Sequence, residues 1–228
     1  MALPLPQGAA PASPAAPDLR FAVASAGPLE FAAVPTLRFE LEVDSGDVPV
    51  RSMTLETQIR VAAPKRAYDA RAQERLVDLF GPPELWSRSL RSLHWINLVS
   101  HVPAFSGRAR VDLLVPCAPD FELAVVRYFA ALEDGEVPLE LLFSGTVFYT
   151  EADGRLQVAR IGWDKDAEFR LPVAAAKEAV ARHFPDSGWV RLDAASFERL
   201  TAFRAERTLL TWEATIDALL REAEGSGR

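Results

Sequence analysis

The chain has 228 residues, of which 49% are hydrophobic and 25% charged, the balance of a globular protein with one real core. Its net charge of -7 argues against a phosphate-backbone binder, which needs clustered Lys and Arg to displace counterions. A lone cysteine, Cys117, rules out an internal disulfide and a paired-cysteine metal site and fits a reducing compartment.

The first residues, MALPLPQGAAPASPAAPDL, are broken by prolines at 4, 6, 11, 14 and 17. They lack the basic start and apolar stretch of a signal peptide, so residues 1–17 are expected to be a disordered Pro/Ala-rich tail. No window approaches the roughly 20 apolar residues of a membrane helix. The expectation is a cytoplasmic protein without membrane insertion, with a single α+β domain over 18–222 and a second short tail at 223–228.

Period two is the clearest signal. In LRFELEV the apolar set Leu37, Phe39, Leu41 and Val43 alternates with Arg38, Glu40 and Glu42. In RSMTLETQIRV, Met53, Leu55, Ile59 and Val61 alternate with polar residues. Such strands have one buried and one wet face, as antiparallel sheets do. The turn formers DSGDVP between them predict a hairpin. Asp69 is placed to cap a helix over 70–80, which Gly81 and the following prolines stop. A short helix over 83–90 follows. SLHWINLVSHV is apolar on both faces and reads as a central strand over 92–102. GRARVDLLVP is another strand. The segment 120–132 reads as helical in its second half.

The most apolar window is VPLELLFSGTVFYT, residues 137–150. It alternates as a core strand, and 155–164 is its hairpin partner, with a phase shift that predicts a bulge near Ala159 or Arg160. From Pro172 the period turns helical: 173–184, a helix capped by Asp193, and a last helix over about 209–222 with Leu209, Trp212, Ile216, Leu219 and Leu220 in one stripe. Strands first and helices last give the α+β class: a twisted antiparallel β-sheet with helices packed on one face and a helical C-terminal segment.

Chemistry is sparse. Ser144 in FSGT lacks the G-x-S-x-G elbow of a hydrolase and reads as a strand hydroxyl. His94 and His101, seven apart on a regular strand, should face opposite sides and form no metal site. His183 fits the end of a helix, where the dipole favours a partial positive charge. The acidic cluster WDKDAEF reads as a solvated strand end. No glycine-rich phosphate loop occurs. These readings predict no catalytic, metal or cofactor residues and no cofactor. The tryptophans are the best candidates for contact with a partner, and Trp95, Phe143 and Trp163 are the candidate binding surface.

The phrases AAVPTLRFELEV, LETQIRV, LFGPPELW, LRSLHW, VDLLVPC, FELAVVRYFAALEDGEVPLELLFSGTVFY, FPDSGWVRL and LTWEATIDALL resemble an uncharacterised actinobacterial family whose genes accompany high-affinity [NiFe]-hydrogenases. The resemblance covers about residues 18–222 and carries no catalytic residues. It implies an accessory role in hydrogenase assembly or maturation, with a hydrogenase subunit or maturation factor as protein partner. A half-open sheet with terminal helices is also similar in outline to export chaperones of the SecB type. The expected function is therefore a non-enzymatic accessory protein that binds another polypeptide. The alternative is a small-molecule-binding or enzymatic domain with a pocket between sheet and helices, lined by Trp95, Phe143 or Trp163. A structural subunit that stays in the mature complex is the third reading.

Overall fold

A computed structural model describes residues 16–117, 123–151, 153–185, 190 and 192–226. The class is α+β, with antiparallel sheets of three and five strands. The chain divides into two compact units, Met1–Ser187 and Gly188–Arg228. No helix among the described residues is long and apolar enough to cross a membrane.

In the first unit, β1 (Arg20–Pro28), β2 (Thr36–Asp44) and β5 (Arg108–Pro116) form one sheet in the order β1-β2-β5. The other holds β3 (Val50–Val61), β4 (Leu93–Val102), β6 (Glu136–Thr150), β7 (Leu156–Arg160) and β8 (Asp166–Pro172). Its order is β4-β3-β6-β7, and β8 pairs with the other half of the long β6.

The expected hairpin between residues 37–43 and 53–61 does not form. The alternation of both strands is as read, but β2 pairs with β1 and β5 while β3 pairs with β4 and β6. The residues between them make a corner that carries the chain from one sheet to the other. Buried Ser45 donates its hydroxyl to the carbonyls of Val48 and Gly107, at 2.9 and 3.3 Å, and Val50 exchanges backbone hydrogen bonds with Phe105. Turn chemistry here ties two crossing segments together instead of reversing the chain.

The inner faces of the two sheets share one core. Phe21 of β1 stacks on Phe143 of β6 at 4.2 Å between ring centroids, and Phe39 of β2 meets Trp95 and Phe169 edge-on at 6.3 and 6.0 Å. Burying one such ring contributes about 2–3 kcal/mol, so these cross-sheet contacts fix how the layers meet.

The helix expected over 70–80 is two short pieces, α1 (Ala70–Arg75) and α2 (Val77–Phe80), with Leu76 between them. Asp69 caps α1 as expected, accepting the Ala72 N–H at 2.7 Å, and Gly81 ends α2 at φ 76°. α3 (Trp86–Ser89) and α4 (Leu123–Ala131) follow. Tyr68, Phe80, Trp86 and Tyr128 pack together edge to face. The Tyr68 hydroxyl donates to the Ala63 carbonyl at 2.8 Å and meets the Tyr128 hydroxyl at 2.7 Å. α5 (Val173–Ala181) packs against β1, β2 and β8.

In the second unit, α6 (Ala194–Glu206) starts at Asp193, whose carboxylate accepts the Ser196 N–H at 2.8 Å. α7 (Trp212–Ser226) follows. Phe197 and Trp212 lie 5.4 Å apart, and the Arg204 guanidinium sits 4.1 Å over the Trp212 ring. Ile216, Leu219 and Leu220 of the expected apolar stripe are exposed. The extended piece read at SGWVRL falls mostly outside the described residues.

Candidate binding surface

The two sheets present very different outer faces. On the three-stranded sheet, alternation sends Arg38, Glu40, Glu42 and Asp44 of β2 outward opposite Leu114, Asp112, Arg110 and Arg108 of β5. These pair as ions across the strands: Arg108 with Asp44 at 3.1 Å, and Arg110 with Glu40 and Glu42 at 3.2 and 3.4 Å. The Gly46 N–H, then Arg108, holds the Asp44 carboxyl below the usual carboxylate range. This is a solvated face.

The outer face of the five-stranded sheet is mixed. Val99, Glu56 and Ser144 lie in one row across β4, β3 and β6. Gln58 sits beside Asn97 and Leu142, and Phe148 of β6 is opposite Val158 of β7. Val99 is 65% exposed, and Leu156, Val158 and Phe148 are also exposed. An open depression of about 470 Å³ runs over this face, lined by Glu56, Gln58, Asn97, Val99, Leu142 and Trp163 among others.

Trp163 stands at a break in the sheet edge. β7 and β8 pair with β6 one after the other along the same edge. The Ile161 N–H donates to Gly145 O at 3.0 Å, and the Phe143 N–H donates to Lys165 O at 2.9 Å. Between those two bonds the chain loops outward, and Trp163 is left 95% exposed. In place of the bulge expected near Ala159 or Arg160 there is a full interruption at 162–164, after the pairing of β7 has ended. Lys165 anchors the loop to Asp18 at 2.5 Å, which holds the Asp18 carboxyl low and the Lys165 ammonium high.

The three residues expected to form one surface therefore separate. Trp95 is 6% exposed and Phe143 2%, both turned into the core. Phe143 also borders the depression beneath Trp163, so only these two meet there. Trp95 is drawn inward by a bulge: Ile59 is opposite Ile96 and Arg60 opposite His94, leaving Trp95 as the extra residue. The same bulge corrects the reading of the histidines. It flips the alternation, so His94 and His101, opposite Arg60 and Thr54, share the outer face. They stand at the two ends of β4, roughly 20 Å apart at strand rise. Among the described residues no three His, Cys, Asp or Glu side chains gather to hold a metal ion.

Ser144 donates to the Glu56 carboxylate at 3.3 Å across the strands. His183 lies beyond α5 and reaches the carbonyls of Ala179 and Ala32 at 3.2 and 2.8 Å, tying that end to the β1–β2 loop. The acidic cluster at 163–169 runs into the first half of β8, whose Glu168 and neighbouring Glu140 share Lys65 at 2.5 and 2.9 Å. Those two carboxylates raise the lysine's pKa, and Lys65 lowers that of Glu168. Burial pushes the Cys117 thiol up to about 11.

A family model, described as a family of unknown function (DUF6084), matches residues 16–228. The chain belongs to this family. No curated protein matches it. Among solved structures it is similar to a selenomethionine-labelled β-glucosidase from Kluyveromyces marxianus and to the β-glucosidase of that yeast in complex with glucose. Both matches have 10% identity and cover 68% of this chain but 15% of those chains, with TM-scores of 0.25 and 0.26. At those scores the likeness carries no argument about this member of the family.

Proposed function

We propose that this protein is a non-enzymatic accessory protein that binds another polypeptide on the outer face of its five-stranded sheet. The observation that carries the reading is Trp163: a 95% exposed indole held on an anchored loop above an open depression. Exposed apolar side chains clustered on one face, where the opposite sheet is covered by ion pairs, mark an interaction surface. Tryptophan dominates such surfaces because it buries a large area at little conformational cost. Val99, Leu142, Phe148 and Val158 supply the apolar ground around it, and Glu56 and Gln58 supply hydrogen-bond partners.

The family resemblance supports a hydrogenase subunit or maturation factor as that polypeptide. The test is affinity capture of the tagged full chain from its native host during hydrogenase synthesis, with mass spectrometry of the bound fraction. The wild type is expected to retain a hydrogenase-related protein, and Trp163→Ser to lose it, with affinity falling by about 30-fold as for a hot-spot residue. Equal recovery by both chains refutes the surface, and recovery of no hydrogenase-related protein refutes the partner.

A further inference from the structure

A strand apolar on both faces normally lies inside a sheet, covered on every side. Residues 92–102 read that way in sequence, but the bulge at Trp95 gathers His94, Asn97, Val99 and His101 on the outer face; β4 ends the five-stranded sheet and pairs with β3 alone among the described residues. The other edges carry the usual guards against strand addition, charge and proline. β1 has Arg20 and Pro28; β5 has Arg108, Arg110 and Asp112; β7 has Arg160; β8 has Asp166, Glu168 and Arg170. β4, LHWINLVSHV, has no Asp, Glu, Lys, Arg or Pro in ten residues. Ile96 and Leu98 on its core side are half-buried, and Val99 on the other side is exposed.

We propose that β4 pairs antiparallel with β4 of a second copy across a two-fold axis, joining two sheets into one. Charge singles out this edge as the meeting place of two copies. Two chains of net charge -7 repel over most of their surfaces, and a ten-residue strand without formal charge is where they meet at least cost. Register favours it as well. Residues directly opposite must share a face, so a one-residue slip is forbidden. An axis through Val99 sets Val99 against itself, Ile96 against Val102, Leu98 against Ser100 and Asn97 against His101. Each pair lies on one side of the sheet: apolar with apolar at the centre and ends, and between them leucine with serine on the core side and amide with imidazole on the other. This pairing uses backbone and β4 side chains, not Trp163; Asn97, Leu98 and Val99 are shared with the rim of the depression described above.

The test is sedimentation of the full chain together with two variants. The wild type is expected at twice its 25.0 kDa. Val99→Lys, at an exposed position the monomer tolerates, places like charges face to face and is expected to raise the dimer Kd at least about tenfold. Val99→Cys is expected to form a disulfide-linked dimer under mild oxidation, with the wild-type chain, whose Cys117 is half-buried, as control. A wild type that stays monomeric at about 100 μM overturns the proposal, since a micromolar Kd leaves mostly dimer there. A dimer that survives Val99→Lys and gives no link through Cys at 99 overturns it equally, and assigns the contact to another surface. Unchanged thermal melting of Val99→Lys at low concentration separates loss of pairing from loss of fold.

Discussion

Replacing Gly145 with alanine should cost more than any other single methyl added to this protein's sheet. Gly145 sits opposite Leu55 in the middle of β6 with φ 128°. A Cβ there would lie 2.1 Å from the carbonyl oxygen of Thr54 and 3.1 Å from its carbon. Both atoms are backbone, so no side chain can turn aside. Two effects add: a non-glycine residue at such a φ costs about 1–3 kcal/mol. Pushing β3 and β6 apart by about 1 Å weakens ladder bonds worth about 1 kcal/mol each. The same shift disturbs the Ile161 bond to Gly145 O that ends β7. Together this is about 3–5 kcal/mol of a total that is commonly about 5–15. At about 2–4 °C per kcal/mol for a chain of this size, melting falls by roughly 10 °C. Urea denaturation followed by tryptophan emission and circular dichroism measures it. Gly154→Ala is the control: its φ is 84° but its Cβ meets nothing within 4 Å, so it isolates the backbone cost from the collision. If Gly145→Ala loses no more than Gly154→Ala, the close approach of β3 and β6 is not what demands glycine, and the reasoning fails.

Thr57 is buried on the core face of β3 with no hydrogen-bond partner for its hydroxyl; Thr57→Val should stabilise by about 1 kcal/mol in urea denaturation. Tyr68→Phe removes the hydroxyl that joins Tyr128 and Ala63, and should destabilise by about 1–3 kcal/mol by leaving the Tyr128 hydroxyl unpaired. Trp163→Ser should leave the melting temperature within the scatter of neutral surface changes, about 0.5 kcal/mol, while abolishing capture of the partner. Asp18 and Glu168 are held below the ordinary 3.8 and 4.5 by Lys165 and Lys65. A depressed folded value gives stability that is complete above the ordinary value and lost as pH falls through the folded one. Lys165→Met should therefore flatten the stability profile below about pH 4, measured by denaturation midpoints across the acid range; an unchanged slope refutes the link to Asp18.

Strand faces were legible wherever period two ran unbroken, as in β2, β3 and β6. Helix starts were legible wherever a capping aspartate stood, at Asp69 and Asp193. What failed was pairing, and parity across bulges. The register of β1 shifts between Val23 and Ser25, so its alternation breaks after two large residues and leaves no strand signal. In β4 the bulge at Trp95 reverses which side His94 occupies. β8 alternates Ala167, Phe169 and Leu171 inward with Asp166, Glu168 and Arg170 outward, the same period-two pattern, which reading 163–169 as a solvated acidic cluster passes over. The candidate site was one-third legible for the same reason. Trp95 and Phe143 are large aromatics on core-facing positions, and of the three only Trp163, in the loop at 162–164, is turned outward.

The two edges of the five-stranded sheet have opposite designs, and this bears on how both proposals combine. At the β7–β8 edge the strand is broken opposite Ser144 and Gly145, and an interrupted, looped-out edge resists addition of another strand. That same interruption is what projects Trp163. At the β4 edge nothing charges the strand, and its bulge at Trp95 lies toward one end, leaving Ile96 to Val102 regular. Pairing there would place two Trp163 loops on one face of a joined sheet, each at its outer end. Counting strand spacings of about 4.8 Å, the two indoles would stand roughly 30 Å apart before twist. A partner presenting two such segments, or immobilised at high density, would then be held bivalently, with avidity beyond the single contact. Val99→Lys tests this: Val99 borders the depression, so the change should weaken the one-to-one affinity in solution a little and binding to a dense surface of partner much more. Equal loss in both formats would mean that Val99 acts through the partner contact alone, and the bivalent reading would fail.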